Sequence, residues 1–194
     1  TLYDAAQVAD TINVNASFDE NDWLFVAVST CGANQNPNSV TAGGVVLTQV
    51  TANGSQSHVR TTTYYGKATT SGSRVSVFWA GQHPSAAVIA VYKSPAVGNT
   101  VIVGSSSAAS VSQNTSSTPG TTLSPTPSNC CALCVVGVEN GQGTILTSPT
   151  GFTLSDEGYT GQNQNPVDCA QNCYVLDIPS STTIRSEEHT SELQ

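Results

Sequence analysis

The chain has 194 residues, of which only 9% are charged, and five Lys and Arg residues leave a formal net charge of −8. So few cations cannot neutralise a run of phosphates, which argues against nucleic-acid binding. No stretch approaches the 18 apolar residues of a transmembrane helix, so no membrane span is expected.

Short apolar runs separated by polar turns predict an all-β fold. Val8–Val14 alternates weakly and predicts an edge strand, whereas Trp23–Thr30 is apolar throughout and predicts a strand buried on both faces. Gly43 and Gly44 predict a tight hairpin turn, because paired glycines adopt positive φ freely. Asp156–Val167 is polar and predicts a long loop. Further strands are predicted at Val59–Lys67, Arg74–Ala80, Ala86–Tyr92, Thr121–Leu123, Cys131–Val138 and Ala170–Ile178.

The order of the predicted elements repeats along the chain. Trp23–Ser29 aligns with Cys131–Gly137, and Tyr64–Ala68 aligns with Tyr174–Ile178, at offsets of 108 and 110 residues (131 − 23 and 174 − 64). We therefore expect an antiparallel, jelly-roll-like β-sandwich built from two similar halves, with the second half truncated. The predicted parts are a first half at 1–104, a Ser/Thr/Pro-rich connection at 105–128, a second half at 129–184 and a non-native tail.

That tail is Arg185–Gln194. Its ten residues match the translation of a common short-read sequencing adapter, as expected for a gene fragment assembled from environmental reads. The tail is therefore excluded from the fold prediction, as any scar of this kind is. The counterpart of Val75–Trp79 would fall inside it, so the second half is expected to stop where its last two strands begin.

Four segments together carry a resemblance to a known family: Asn21–Val28, the Gly-rich hairpin after it, Tyr64–Ala68 and Ala86–Tyr92. This pattern resembles a duplicated β-sandwich module found in bacterial secreted and surface proteins and in phage tail or virion proteins. The resemblance implies an extracellular, cell-surface or virion location and a structural, adhesive or glycan-contacting role. It implies no catalytic residue and no cofactor.

Six cysteines form the most distinctive set of side chains: Cys31, Cys130, Cys131, Cys134, Cys169 and Cys173. Their even number and the low charge favour disulfides in an oxidising compartment. Cys169 and Cys173 lie too far apart along one strand to pair directly, so bridges to Cys130, Cys131 or Cys134 are expected. Structural zinc and unbridged core thiols are the alternatives.

Two weaker candidate sites involve carboxylates and aromatic rings. Asp19, Glu20 and Asp22 cluster before the central strand and offer oxygen ligands for calcium, but a simple turn with Asp22 at the strand entry is the expected structure. Among the aromatic residues, Trp23 and Trp79 are expected in the core. Tyr3 and Tyr159 have polar surroundings and are the candidates for glycan contact. The two histidines outside the tail, His58 and His83, are expected in solvated turns.

The sequence thus predicts a non-enzymatic structural or adhesion module. The alternative is a carbohydrate-binding module of a tail fibre or of a secreted glycan-active protein. Expected partners are surface glycans or other subunits of a larger assembly. A row of solvent-facing aromatic side chains would favour the carbohydrate-binding alternative, whereas burial of all of them would favour the purely structural role.

Overall fold

The fold is taken from a computed structural model, in which every regular element described is a β-strand. The structure describes residues 2–5, 10–31, 36–54, 59–81, 84, 86–94, 121–123, 130–139, 148, 150–160, 169–178 and 184–186. The strands are β1 (Leu2–Ala5), β2 (Thr11–Phe18), β3 (Trp23–Cys31), β4 (Ser39–Ala42), β5 (Val45–Val46), β6 (Thr48–Gly54), β7 (Val59–Lys67), β8 (Gly72–Phe78), β9 (Ala86–Ser94), β10 (Thr121–Leu123), β11 (Cys130–Glu139), β12 (Thr153–Tyr159), β13 (Cys169–Ile178) and β14 (Ile184–Ser186).

Strands β1 to β9 form two facing antiparallel sheets. One sheet has the order β1-β9-β3-β7-β6 and the other the order β2-β8-β4-β5, so successive strands alternate between sheets from β1 to β4. This is the strand order of a jelly roll, with β6 added at one edge. The predicted all-β, antiparallel and jelly-roll-like fold class is confirmed.

The main hydrophobic core lies between these two sheets. Strand β2 alternates strictly between exposed and buried residues, so that Ile12, Val14, Ala16 and Phe18 all point inward. They meet Leu24 and other inward residues of β3, β7 and β9, together with Trp79 directly after β8. The two-residue period of the polar and apolar side chains therefore sets which face of each outer strand is buried.

Two turns follow directly from residue type. Gly43 and Gly44 have φ values of 56° and 77° and join β4 to β5, as predicted. A side chain on Gly43 could not be accommodated, because its Cβ would lie 2.6 Å from the Cβ of Ala68. In the turn before β3, Asn21 adopts a φ of 73°, which asparagine tolerates better than most residues.

The outer face of the five-stranded sheet is covered by a third sheet, with the order β11-β13-β12. Ala27 and Ala90 on that outer face share a cluster with Cys173 and Val135 of the third sheet. A second cluster joins Cys31 to Cys169. The second half of the chain therefore buries the far side of β3, which explains why β3 is apolar on both faces and confirms that prediction.

The pairing registers of the two halves are equivalent. Trp23 pairs with Lys67 and Val26 with Tyr64, and their aligned counterparts pair as Cys131 with Asp177 and Cys134 with Tyr174. Bulges repeat as well. Strand β6 is irregular between Gln49 and Thr51, beside Tyr64, and β12 between Leu154 and Asp156, beside Tyr174. The repeat is thus one of backbone pairing, although few residues are identical.

The short pair β10 and β14 extends the repeat. Leu123 pairs with Ile184, just as Val14 pairs with Val75 in the first half. Strand β14 also contains Arg185 and Ser186, the first two residues of the segment expected to be adapter-derived. The counterpart of β8 therefore begins at the boundary of that segment, and the origin of the tail stays a prediction.

Some boundaries differ from those expected. The segment predicted as a polar loop from Asp156 begins as strand β12, because pairing with β13 supplies its backbone hydrogen bonds despite the polar side chains. Strand β6 ends in Asn53 and Gly54, two residues that are more typical of turns than of strands. The described residues contain no helix with the length and apolar character needed to cross a membrane.

Candidate functional site

Strand alternation divides the aromatic residues between the core and the surface. Trp79 is fully buried, and Tyr64 is buried with its hydroxyl donating to the carbonyl of Pro37 at 3.2 Å. Trp23 was expected in the core, and this is wrong. It starts β3 on the face opposite Leu24 and is only partly buried. Its bulk and apolar surroundings suggested burial, but the third sheet does not fully cover this end of the strand.

The candidate site is an aromatic strip formed by Trp23, Phe25 and Tyr65, all partly exposed on the outer face of the five-stranded sheet. Phe25 and Tyr65 are directly opposite each other across β3 and β7. The rings of Trp23 and Tyr65 are stacked, with centroids 6.0 Å apart and planes inclined by only 17°. The two rings are thus nearly parallel, and strands of the same sheet hold them in place.

Polar side chains surround the strip. Lys67 and Ser94 are the residues directly opposite Trp23 on β7 and β9, and Thr48 is opposite Tyr65 on β6. Opposed residues in a ladder share a face, so these three lie beside the rings. Lys67 and Thr48 are exposed. The strip therefore combines apolar rings with an ammonium and two hydroxyl groups.

The strip lies where the first and third sheets cease to cover each other. Ala27 is fully buried, whereas Phe25 and Trp23 become partly exposed towards the start of β3. On β11 the same trend runs from the partly buried Val135 to the exposed Cys131. Twisted sheets diverge at their corners, which accounts for exposure at the same end of both strands.

The acidic turn before β3 acts as a structural element. Asp22 is buried, accepts a hydrogen bond from the Asp19 backbone N–H at 2.9 Å and lies 3.8 Å from the Lys93 ammonium. Asp19 and Glu20 are exposed. Within the described residues, no three His, Cys, Asp or Glu side chains are grouped to hold a metal ion. These contacts fit the expected turn better than a calcium loop.

The ladder between β11 and β13 disagrees with the expected disulfide pairings. Cys169 pairs with Glu139, whereas Cys134 pairs with Tyr174, five residues or about 17 Å further along the strand. Cys130 and Cys131 lie further still. Cys173 is opposite Val135, so it and Cys134 point to opposite faces of the sheet. Bridged cysteines need Cα atoms within about 7 Å, so Cys169 cannot reach any of the three.

A buried polar cluster lies between the first and third sheets. The Gln171 amide donates to the Cys173 Sγ at 3.5 Å, and the Tyr92 hydroxyl is buried beside the same thiol. Burial raises the pKa of Cys173 to about 11, and burial likewise raises that of Tyr92. A thiol protonated at neutral pH is a poor nucleophile, so Cys173 does not suit covalent catalysis.

The raised pKa of Cys173 makes stability depend on pH. A folded-state pKa of about 11, above the ordinary value of 9.0, means that stability is intact below pH 9 and is lost as pH rises towards 11. We expect the free energy of unfolding, measured with urea, to fall by about 2–3 kcal/mol between pH 9 and pH 11 because of this thiol alone. Cys173→Ala should remove this part of the pH dependence of the unfolding free energy. An unchanged pH dependence in the variant would contradict burial of the Cys173 thiol.

Several residues proposed from sequence are not placed by the structure. The side chains of Tyr3, Tyr159 and Cys130 lie outside the described parts, although their backbones belong to β1, β12 and β11. His58 and His83 lie wholly outside the described residues. Phe25 was not proposed from sequence at all. Strand alternation could have indicated it, because residues 23, 25 and 27 share the face opposite the apolar residues of the main core.

No protein-family model, curated protein sequence or solved structure matches the chain.

Proposed function

We propose that the chain is a non-enzymatic adhesion module of an extracellular or virion-associated protein, and that it binds glycans through the aromatic strip. The observation that carries this proposal is the stacked, partly exposed pair of Trp23 and Tyr65 on a rigid sheet. Grouped apolar side chains at a protein surface often mark an interaction site. The purely structural alternative would need another subunit to cover this surface.

A sugar ring suits the strip because it is amphipathic. Its C–H face can pack on the Trp23 and Tyr65 rings, while its hydroxyl groups exchange hydrogen bonds with Lys67, Thr48 and Ser94 beside them. Sheet strands hold both rings in place, so little conformational entropy is lost on binding. The low content of charged residues favours neutral polysaccharides over highly sulfated ones.

The test is a glycan array followed by affinity electrophoresis with the polysaccharide that binds most strongly. Trp23→Ala should weaken binding about tenfold or more, because aromatic anchors commonly contribute over 1.4 kcal/mol. Tyr65→Ala should weaken it to a similar extent. Phe78→Ala is the matched control, since Phe78 is 40% exposed but lies on β8, in the other sheet of the jelly roll.

Two outcomes would overturn the proposal. Absence of binding to every glycan would leave the structural role alone. Equal loss of binding in Phe78→Ala and Trp23→Ala would place the contact elsewhere, or show that the variants merely unfold. Circular dichroism and urea unfolding of each variant distinguish unfolding from loss of a contact.

A further inference from the structure

Two buried cysteines, one from each half of the chain, meet at one end of the interface between the first and third sheets. Cys31 ends β3 and Cys169 begins β13, and both side chains are fully buried. They belong to one small cluster with Ala86 and Val88 of β9. Among the described residues, Cys169 is the one member of this cluster from the third sheet, so it covers the patch in which Cys31 lies.

Contacts between the two sheets advance in step along this interface. On the outer face of β3, Ala27 shares a cluster with Cys173 of β13. Two residues further along β3, Ser29 lies against Gly137, which pairs with Gln171 of β13. A step of two residues along β3 thus corresponds to a step of two residues in the opposite direction along β13.

The next step of the same size leads to Cys31 on β3 and to Cys169 on β13, in agreement with their common cluster. Strand alternation directs both side chains into the interface, since Cys31 follows Ser29 by two residues and Cys169 precedes Cys173 by four. The two thiols therefore lie at the same level of the interface and enter it from opposite sides.

The two sheets approach each other closely enough for a disulfide. A Cβ on Gly137 would lie 3.2 Å from the Ser29 Cβ, so the two Cα atoms are at most about 6 Å apart, given C–C bonds of about 1.5 Å. Stacked sheets usually lie about 10 Å apart, whereas bridged cysteines need Cα atoms about 4.4–6.8 Å apart. Small side chains such as Ala27 permit this approach. One step away from Cys31 and Cys169, the spacing is thus that of a disulfide.

We propose that Cys31 and Cys169 form a disulfide that joins the two halves of the chain covalently in an oxidising compartment. The structure shows both as thiols. The oxidant is an external disulfide such as oxidised glutathione: one cysteine thiolate attacks it, and the second thiolate then displaces the remaining small thiol from the mixed disulfide. The external S–S bond breaks, one S–S bond forms within the chain, and the two released thiols carry away the two electrons and two protons.

Burial determines when this bond forms. The docked sheets shield both thiols from solvent, so the exchange takes place during folding, before the third sheet closes over β3. The bond joins positions 138 residues apart (169 − 31), and a cross-link over so long a loop strongly restricts the unfolded chain. The proposal does not rest on glycan binding by the aromatic strip, which lies at the other end of β3.

The test is refolding of the full chain in a buffer of oxidised and reduced glutathione. The remaining thiols are then alkylated with N-ethylmaleimide in denaturant, and the chain is digested with trypsin without reduction. Trypsin leaves Cys31 as the one cysteine of residues 1–60, because the first Lys or Arg is at position 60. Mass spectrometry should recover this peptide joined to residues 94–185, and reduction should separate the two.

Two variants assign the bond and its effect on stability. Cys173→Ala is the matched control, because Cys173 is also buried towards β3 but lies in the cluster of Ala27. In this variant, cleavage at aspartates isolates residues 168–176 with Cys169 as the one cysteine, and this fragment should still carry the link. The oxidised chain should unfold about 5–15 °C above the reduced chain. That difference should disappear in Cys31→Ala and persist in Cys173→Ala.

Three results would overturn the proposal. Cys31 and Cys169 could both carry N-ethylmaleimide after oxidative refolding. Mass spectrometry could instead find Cys169 joined to Cys130, Cys131 or Cys134, or Cys31 joined to a second chain. Equal unfolding temperatures of the oxidised and reduced chains would show that no bond restrains the two halves. This last comparison uses the unmodified chain, so it holds whether or not a variant folds.

Discussion

Trp79→Ala should be among the most destabilising substitutions in the chain, with a loss of about 3–5 kcal/mol in the free energy of unfolding. Trp79 is fully buried in the main core, where β2, β3 and β8 meet, and its backbone N–H donates to the carbonyl of Asp10 at 2.8 Å. Truncation removes the largest side chain of that core and leaves a cavity that rigid sheets cannot close. Urea unfolding measures the loss.

Trp23→Ala is the matched control for this prediction. Trp23 is the same residue type on the opposite, partly exposed face, where its ring meets Tyr65. We expect a smaller loss, of about 1–2.5 kcal/mol, because the variant loses one aromatic pair and only part of a buried ring surface. Equal losses in the two variants would contradict the division of the tryptophans between core and surface.

Gly137→Ala should destabilise the chain by about 1–3 kcal/mol, although replacing glycine in a strand usually stabilises. Gly137 of β11 lies against the pair of hydroxyls that Ser29 and Thr61 form across β3 and β7, with oxygens 3.0 Å apart. A Cβ at position 137 would lie 2.7 Å from the Ser29 Oγ and in closer contact with Thr61. The methyl group would therefore push the third sheet off the first.

A double-mutant cycle separates this clash from a local effect on β11. Ser29→Gly removes one of the two obstructing groups, so Ser29→Gly/Gly137→Ala should be more stable than the sum of the single changes predicts. Unfolding in urea at neutral pH gives the unfolding free energies of the unmodified chain and the three variants. If Gly137→Ala gains the usual 0.4–1 kcal/mol of a compatible site, the close packing of the two halves is refuted.

The fold class could be predicted from sequence because it depends on local periodicity. Alternation along Ile12 and Val14 identified an outer strand, and the apolar run from Trp23 identified a strand covered on both sides. Glycine chemistry located the β4–β5 turn. Each of these signals resides within a few neighbouring residues, so no knowledge of distant contacts was needed.

Features that depend on pairing between distant segments were not predictable. Asp156 and Glu157 have low β-propensity, yet they occupy β12 because β13 lies beside them. The cysteine spacing suggested bridges, but only the ladder register shows that Cys169 lies opposite Glu139. The repeat was visible in sequence as a pattern, and its exact register and matched bulges appear only in the pairing.

The candidate site was missed in part for the same reason. Sequence reasoning placed Trp23 in the core because aromatic side chains in apolar strands are usually buried. Whether the outer face of β3 is covered at that end depends on how far the third sheet extends, which no local pattern encodes. Tyr65 differs from the buried Tyr64 only by parity, and parity alone does not say which face is open.

Oxidation of tryptophan by N-bromosuccinimide, located by peptide mass spectrometry, tests glycan binding by the aromatic strip most directly. The chain contains two tryptophans, so the buried Trp79 serves as an internal control for Trp23. Without glycan, Trp23 should be oxidised and Trp79 spared; a saturating glycan from the array should protect Trp23. A glycan that binds while Trp23 is oxidised at its unprotected rate would contradict the account.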